Sequence, residues 1–289
     1  MNDTAANEPE SEPTAIYSPA YRFNTGPITA VKALVRDVID NRWRIWESFK
    51  RNFQNNYAGT ILGQVWMVIL PLVQIGVYVL LAQMRVVSRS EDIPFVLFIC
   101  IGVTVYGMAT GPIQDTMGAM RGESGMLSKT NISIITIVLS RFAQLVWDVL
   151  VRLVFIACVM VTLGVTPGWG VLLLPIALLP VFLGALSAGI ILGILNIIAR
   201  DVANTVGIII RYGFFFSSVI FPLPKEGVIA TILLFNPFNT FVIEIRNLIV
   251  KGHMENITLF LITSACTLLV FLFAAVFLYR SEARIRSAL

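Results

Sequence analysis

Histidine, cysteine and charge are all scarce in this chain. His253 is the only histidine among 289 residues. One imidazole excludes multi-histidine metal sites and the paired histidines of an HExxH protease. Cys100, Cys158 and Cys266 lie far apart in apolar segments, with no CxxC spacing. They give no disulfide framework and read as packing residues. No GxxxxGK[ST] stretch occurs, so the chain is not its own ATPase. Charged residues make up 13% of the chain, against about 25% in soluble domains. With 57% hydrophobic residues and a mean hydropathy of +0.82, the chain is a multi-span membrane protein. A net charge of +4 follows from basic loops on one side of a membrane and calls for no nucleic-acid partner.

What is present is a series of long apolar runs. The first follows a polar approach ending at Gly59 and carries no charge before Arg85. A helix needs about 20 such residues to cross a bilayer. Later runs cover Ile93–Thr116, Ile132–Leu163, Val171–Ala199, Asn204–Phe221 and Ile257–Tyr279. Six spans place both ends of the chain on one side. Lys and Arg then set the orientation: thirteen fall on the side of the termini and five, Arg246 among them, on the other. Both termini are therefore expected in the cytoplasm.

Residues 1–20 are polar and rich in Pro and Glu, without the basic start and apolar core of a signal peptide. They read as a disordered tail that is not cleaved. Residues 21–60 read as an amphipathic helix at the membrane surface, broken near Asn41, with Trp43 and Trp46 suited to the headgroup layer. Docking on a soluble partner fits the same pattern. Residues 61–289 hold the spans.

Several polar positions stand out. In the first span Gln64, Pro71, Gln74 and Tyr78 stack on one helical face. Lipid cannot satisfy such groups, so that face meets protein or water. In the third span Arg141, Gln144, Asp148 and Arg152 share a face, and Asp148–Arg152 is an acid-then-base pair one turn apart. A structural ion pair is favoured over a proton relay, because no histidine and no second acid stands nearby. The fifth run is aromatic, with Tyr212, Phe214, Phe215 and Phe216. Asn204, Ile208, Arg211, Phe215 and Ser218 fall on one face, suited to packing or to sliding a sugar chain past rings and amides. Pro222, Pro224, Gly227 and Pro237 break the next segment. Its apolar pieces, Val228–Phe235 and Phe238–Val250, read as half-helices entering from outside. Asn256-Ile257-Thr258 matches a glycosylation sequon.

Three blocks carry a family resemblance. Tyr57-Ala58-Gly59-Thr60-Ile61-Leu62-Gly63, then Trp66, Pro71-Leu72 and Val77-Tyr78, resembles the first membrane helix of polysaccharide-exporting ABC permeases of the ABC-2 class. Leu192-Gly193-Ile194-Leu195-Asn196 with Ala199-Arg200-Asp201-Val202 is similar to a second block, and Asn236-Pro237 followed by Arg246 to a third. The blocks keep the family's order over residues 50–280.

The resemblance implies an all-α membrane protein of six transmembrane helices, with an N-terminal interface helix and short re-entrant gate helices before the last span. It implies a bacterial inner-membrane subunit that pairs with a second copy, amid membrane lipids, and moves a lipid-linked polysaccharide, O-antigen by preference. Two copies of a separate ATPase would bind the ATP and magnesium, so this chain needs no cofactor. Spans one and five would line the channel through Gln64, Trp66, Gln74, Tyr78, Tyr212, Phe215 and Phe216. The ATPase would meet Arg51 and the Met120–Thr130 loop, at Arg121, Glu123, Ser124, Leu127 and Lys129. Glu244 and Arg246 would sit in the gate. The chain departs from the family's pattern in its long N-terminal tail and at Gln54-Asn55-Asn56, where many relatives are basic. Rival readings are an ABC-2 exporter of a drug or small lipid, a membrane enzyme acting on a lipid-linked sugar, and a secondary transporter. No paired acids or metal motif support the enzyme, and only one segment has the breaks a secondary transporter shows in both halves.

Overall fold

The computed structural model describes residues 26–55, 59, 62–66, 69–70, 72–73, 76–77, 80, 93–122, 134–222, 227, 233 and 236–288. Among the described residues the regular elements are all helices. They are α1 (Pro27–Asp40), α2 (Arg42–Asn55), α3 (Phe95–Gly122), α4 (Ile134–Thr162), α5 (Leu174–Ile198), α6 (Asp201–Gly213), α7 (Pro237–Val250) and α8 (Ile257–Ala288). Short 3₁₀ turns lie at Gly63–Val65, Trp169–Leu173 and Phe214–Phe216. Four segments are long and apolar enough to cross a membrane: Phe95–Gly122, Ile134–Thr162, Trp169–Ile198 and Ile257–Glu282. The expected first span, most of the Met120–Thr130 loop and most of the Val228–Phe235 half-helix fall outside the described residues.

Helix α3 is the pole of the bundle. The apolar window of α3 is 83% buried, against 11% for that of α8, so α3 is enclosed by protein while α8 faces outward. Helices α4, α5, α6 and α7 all pack on it. Its closest neighbour, α5, presents Ala185, Gly189 and Gly193 at steps of four, on one stripe. A Cβ on Gly189 would stand 2.9 Å from the Pro112 carbonyl oxygen, and one on Gly193 would stand 2.5 Å from the Met120 sulfur. Lipid tails are as apolar as leucine, so close backbone packing replaces the hydrophobic effect as the force that joins such helices.

Hydrogen bonds fix which ends lie together. Arg121, near the end of α3, donates to the Asn196 carbonyl near the end of α5 at 3.4 Å. The Ile134 backbone N–H, at the start of α4, donates to Glu282 near the end of α8 at 3.4 Å. Helix α1 packs on α8 and buries Ala30 and Leu34. One side of the bundle therefore holds α1, the ends of α3, α5 and α8, and the start of α4. On the other side Gly168 and Gly170 press against Gly252, with no room for a Cβ at any of the three.

Helix α8 starts on the side opposite to the end of α5, so the chain crosses between them. From the end of α5 the chain turns back into the bundle through α6, whose 13 residues span about 20 Å, and through the 3₁₀ turn that follows. The expected fifth run to Phe221 is thus not one helix. Regular α-helix stops at Gly213, and Ser218 is buried in a left-handed turn (φ 49°) rather than exposed on the helical face. The run stays apolar through Phe214–Phe216, which hides the break from any hydropathy reading.

The N-terminal segment breaks at Asn41, whose side-chain amide donates to the Asp37 carbonyl at 2.9 Å and carboxylate at 2.8 Å. Helix α2 then packs on α4, where the Phe53 ring meets the Trp147 ring edge-on, centroids 5.8 Å apart. Of the cysteines, Cys100 is buried in the core, whereas Cys158 and Cys266 lie on exposed helix faces.

The α3–α5 contact is testable. Gly193→Val is expected to lower the stability of the detergent-solubilised protein by about 1–3 kcal/mol through overpacking. Gly107→Ala, where nothing lies within 4 Å, is expected to leave the thermal midpoint unchanged or slightly raised. Equal midpoints for the Gly193→Val variant and the parent would refute the close packing.

Candidate functional site

Helix α7 starts deep in the bundle. Asn236 caps it: its side-chain oxygen accepts from the Phe238 N–H at 3.0 Å. Pro237 follows at the first helical position, where no N–H is required. The Asn236 amide also donates to the Phe216 carbonyl at 3.1 Å and the Ser217 hydroxyl at 3.2 Å. Phe238 packs on the Tyr106 ring. Tyr106 is eleven residues into α3, about 17 Å from its start. One turn or more closer to that start, Phe98 and Gly102 meet Arg246. Helix α7 therefore runs antiparallel to the first half of α3, from mid-depth outward, as a re-entrant half-helix. Non-spanning backbone is tolerated at that depth because protein surrounds it.

Arg246 is the centre of this contact and is only 3% exposed. Its guanidinium carbon lies 3.5 Å from the centroid of the Phe98 ring. Its Nη2 donates to the Ser218 carbonyl at 2.8 Å. Gly102 makes the approach possible, since a Cβ there would fall 2.6 Å from Nη2 and 2.9 Å from the Val219 carbonyl oxygen. The left-handed backbone of Ser218 costs about 1–2 kcal/mol in a residue with a Cβ, and the bond from Arg246 holds it there. Glu244, two residues earlier, accepts from the Asn256 N–H at 3.2 Å, and Asn256 in turn caps α8 at Leu259. Burial pushes the Glu244 carboxyl above the usual range, offset in part by the N–H groups of Asn256 and Glu255. Buried atoms of Asn239, Glu244, Arg246 and Asn247 have no hydrogen-bond partner among the described residues.

Tyr106 ties α3 to the end of α6. Its hydroxyl donates to the Ile210 carbonyl at 2.6 Å and its ring meets Phe214 edge-on. Phe214 is thereby turned inward. Tyr212, Phe215 and Phe216 point away from the bundle, 60%, 50% and 59% exposed. Asn204, Ile208 and Arg211 are exposed along α6 with them.

A model of the ABC-2 type transporter family matches residues 44–250. The chain belongs to that family. A relative, the O-antigen export system permease protein RfbA of Myxococcus xanthus, is 23% identical over 207 residues, covering 71% of this chain and 79% of the relative. The chain is an ABC-2 membrane permease, a transport subunit without a catalytic domain and a multi-pass membrane protein.

Within this ABC-2 frame the sequence-predicted residues separate into groups. Tyr212, Phe215 and Phe216 lie together on an exposed surface. Glu244 and Arg246 lie together in α7, fully buried. Arg246 lies inside α7, which matches the half-helix expected over Phe238–Val250. Arg51 is exposed on α2, and Arg121 is half-buried at the end of α3. Trp66 is half-buried. The side chains of Gln64, Gln74, Tyr78, Glu123, Ser124, Leu127 and Lys129 lie outside the described residues. Asp148 and Arg152 are half-buried on α4 and act on one another electrostatically. The expectation of no second acid nearby was wrong. Asp115 on α3 also acts on Asp148, and Arg141 acts on Asp115. Two acids and two bases thus face each other across α3 and α4, a neutral set. Asp115 and Tyr106 escape a sequence reading because their partners lie on other helices.

Arg246→Ala removes a desolvated cation–π contact and a charged hydrogen bond, an expected loss of about 3–5 kcal/mol. Arg246→Lys recovers little, since an ammonium cannot stack on Phe98 while reaching Ser218. Thermal unfolding in detergent measures both, and wild-type stability in the lysine variant would contradict the stacked geometry.

Proposed function

We propose that the protein is the membrane subunit of an ATP-driven exporter that moves a lipid-linked polysaccharide, O-antigen by preference, across the bacterial inner membrane. The observation that carries this reading is the exposed aromatic and polar face of α6, in a chain similar to an O-antigen export permease. Rings offer flat faces to the C–H surfaces of sugars, and Asn204 and Arg211 offer hydrogen bonds to hydroxyls. A hydrophilic chain cannot cross hydrocarbon unlined, because each unpaired hydroxyl costs several kcal/mol there. Two copies would place the α6 faces and the first-span residues Gln64, Trp66, Gln74 and Tyr78 around one passage. The run after Gly59 and the crossing by α6 complete six spans. Both termini then lie in the cytoplasm, with α1 and α2 at that surface.

Two copies of a separate ATPase, binding ATP and magnesium, dock at α2 near Arg51 and at the loop holding Arg121, Glu123, Ser124, Leu127 and Lys129. Closure of the ATPase pair shifts that loop and, through α3, the α7 half-helix bearing Glu244 and Arg246. Asp148 and Arg152 act as a structural ion pair.

The test is co-expression with the candidate ATPase, followed by ATP hydrolysis with and without the lipid-linked glycan. A two-plus-two complex stimulated by glycan is the expected result. Stimulation by a drug or small lipid instead would move the protein to another ABC-2 substrate class. The variant Tyr212→Ala/Phe215→Ala/Phe216→Ala is expected to assemble normally and to export severalfold less glycan to the cell surface. Undiminished export would remove the aromatic face from the pathway.

A further inference from the structure

We propose that the cavity between α3, α5 and α6 binds the diphosphate end of a lipid-linked sugar. This deepens the export reading and rests on it. The cavity holds about 610 Å³, within the usual range for small-molecule sites. Arg121, Asn196, Arg211 and Gln114 line it, against an apolar wall that includes Val206 and Ile210. Among the described residues no carboxylate lines it, and neither arginine has an acidic partner. Two arginines at the rim of a membrane domain are costly without an anion. A diphosphate ester matches their two charges, whereas a phospholipid phosphodiester matches one. Arg121 spends one N–H on the Asn196 carbonyl, and its guanidinium carries five.

Asn196 supplies the second, independent observation. It is 2% exposed, and its side-chain oxygen is buried without a hydrogen-bond partner among the described residues. An acceptor beside Arg121, in a cavity that Arg211 also lines, suits a sugar hydroxyl next to a phosphate: the hydroxyl donates to the amide oxygen while the anionic phosphate receives the arginines. Gly118 and Gly207 leave the walls open, with nothing within 4 Å of a Cβ at either. The cavity starts on the side where α3 and α5 end and reaches Arg211, beside Tyr212 and Phe215 on the exposed aromatic face. A lipid-linked glycan held here by its diphosphate would have its sugars next to those rings.

The experiment uses the full-length protein purified with its ATPase subunit, and farnesyl diphosphate as the probe, with binding followed by thermophoresis. Inorganic pyrophosphate is expected to compete and farnesol is not. Arg121→Gln and Arg211→Gln are each expected to weaken binding about tenfold, while Arg121→Lys and Arg211→Lys retain most of it. Arg200→Gln, exposed at the α5–α6 junction and outside the cavity, is the control for general loss of positive charge. Unchanged binding in the Arg121→Gln/Arg211→Gln variant, with its elution profile intact, overturns the proposal. So does equal binding of dioleoylphosphatidylglycerol, which would make this a phospholipid headgroup site. If glycan still stimulates ATP hydrolysis fully in the double variant, the site fails and the export reading stands. Arginine-dependent probe binding without any response to glycan supports the site and ends the export reading.

Discussion

A single buried guanidinium ties together the half of this permease around α7. Arg246 stacks on Phe98 and donates to the Ser218 carbonyl. It thereby adds a polar tie between three pieces that also share one apolar core: the pole helix α3, the half-helix α7 and the turn after α6. In hydrocarbon a charge is costly, and an unpaired carbonyl is costly as well. Each of the two relieves the other here. Gly102 is the enabling residue, because any larger side chain would occupy the space of the guanidinium. The arrangement is local in space and distant in sequence, drawing on residues 98, 102, 218 and 246.

The same economy recurs elsewhere. Asn236 caps α7 with one end of its amide and ties down the 3₁₀ turn with the other. Tyr106 fills the gap between α3 and α6 with its ring and satisfies the Ile210 carbonyl with its hydroxyl. Glu244 receives the Asn256 N–H just as Asn256 starts α8. Short, broken elements survive at depth because each break has a side chain assigned to its loose backbone groups. The long helices need no such help. They are held by the small-residue stripe of α5 against α3 and by ordinary packing.

Much of this was legible in the sequence wherever a local rule decides the structure. The break at Asn41 follows from periodicity, and the start of α7 follows from Asn236-Pro237. The four long spans follow from run length. What was not legible depends on partners from another helix. Arg246 in a broken segment looks like a loop charge until Phe98 and Gly102 are placed beside it. Asp115 looks solitary until α4 brings Arg141 and Asp148 across. The end of α6 is hidden because Phe214, Phe215 and Phe216 continue the apolar pattern, although only Phe214 turns inward. Among site residues, the aromatic cluster stands out in the composition, whereas Glu244 and Arg246 stand out only through the family resemblance. The cavity flanked by Arg121 and Arg211 was not, since its arginines sit ninety positions apart.

The packing of α1 on α8 bears on how the chain is made. Thr29 and Lys32 of α1 line a common cavity with Tyr279 and Glu282 of α8. These partners are separated by nearly the whole length of the chain. At about 5–20 residues per second, α1 leaves the ribosome roughly 12–50 s before its partner exists. Throughout that interval its amphipathic face has no protein to cover it. The membrane surface is the natural resting place for such a face, so the first helix made waits on lipid and is among the last to settle. The final span then acts as the latch of assembly, and a chain truncated before Tyr279 would leave its N-terminal helix undocked.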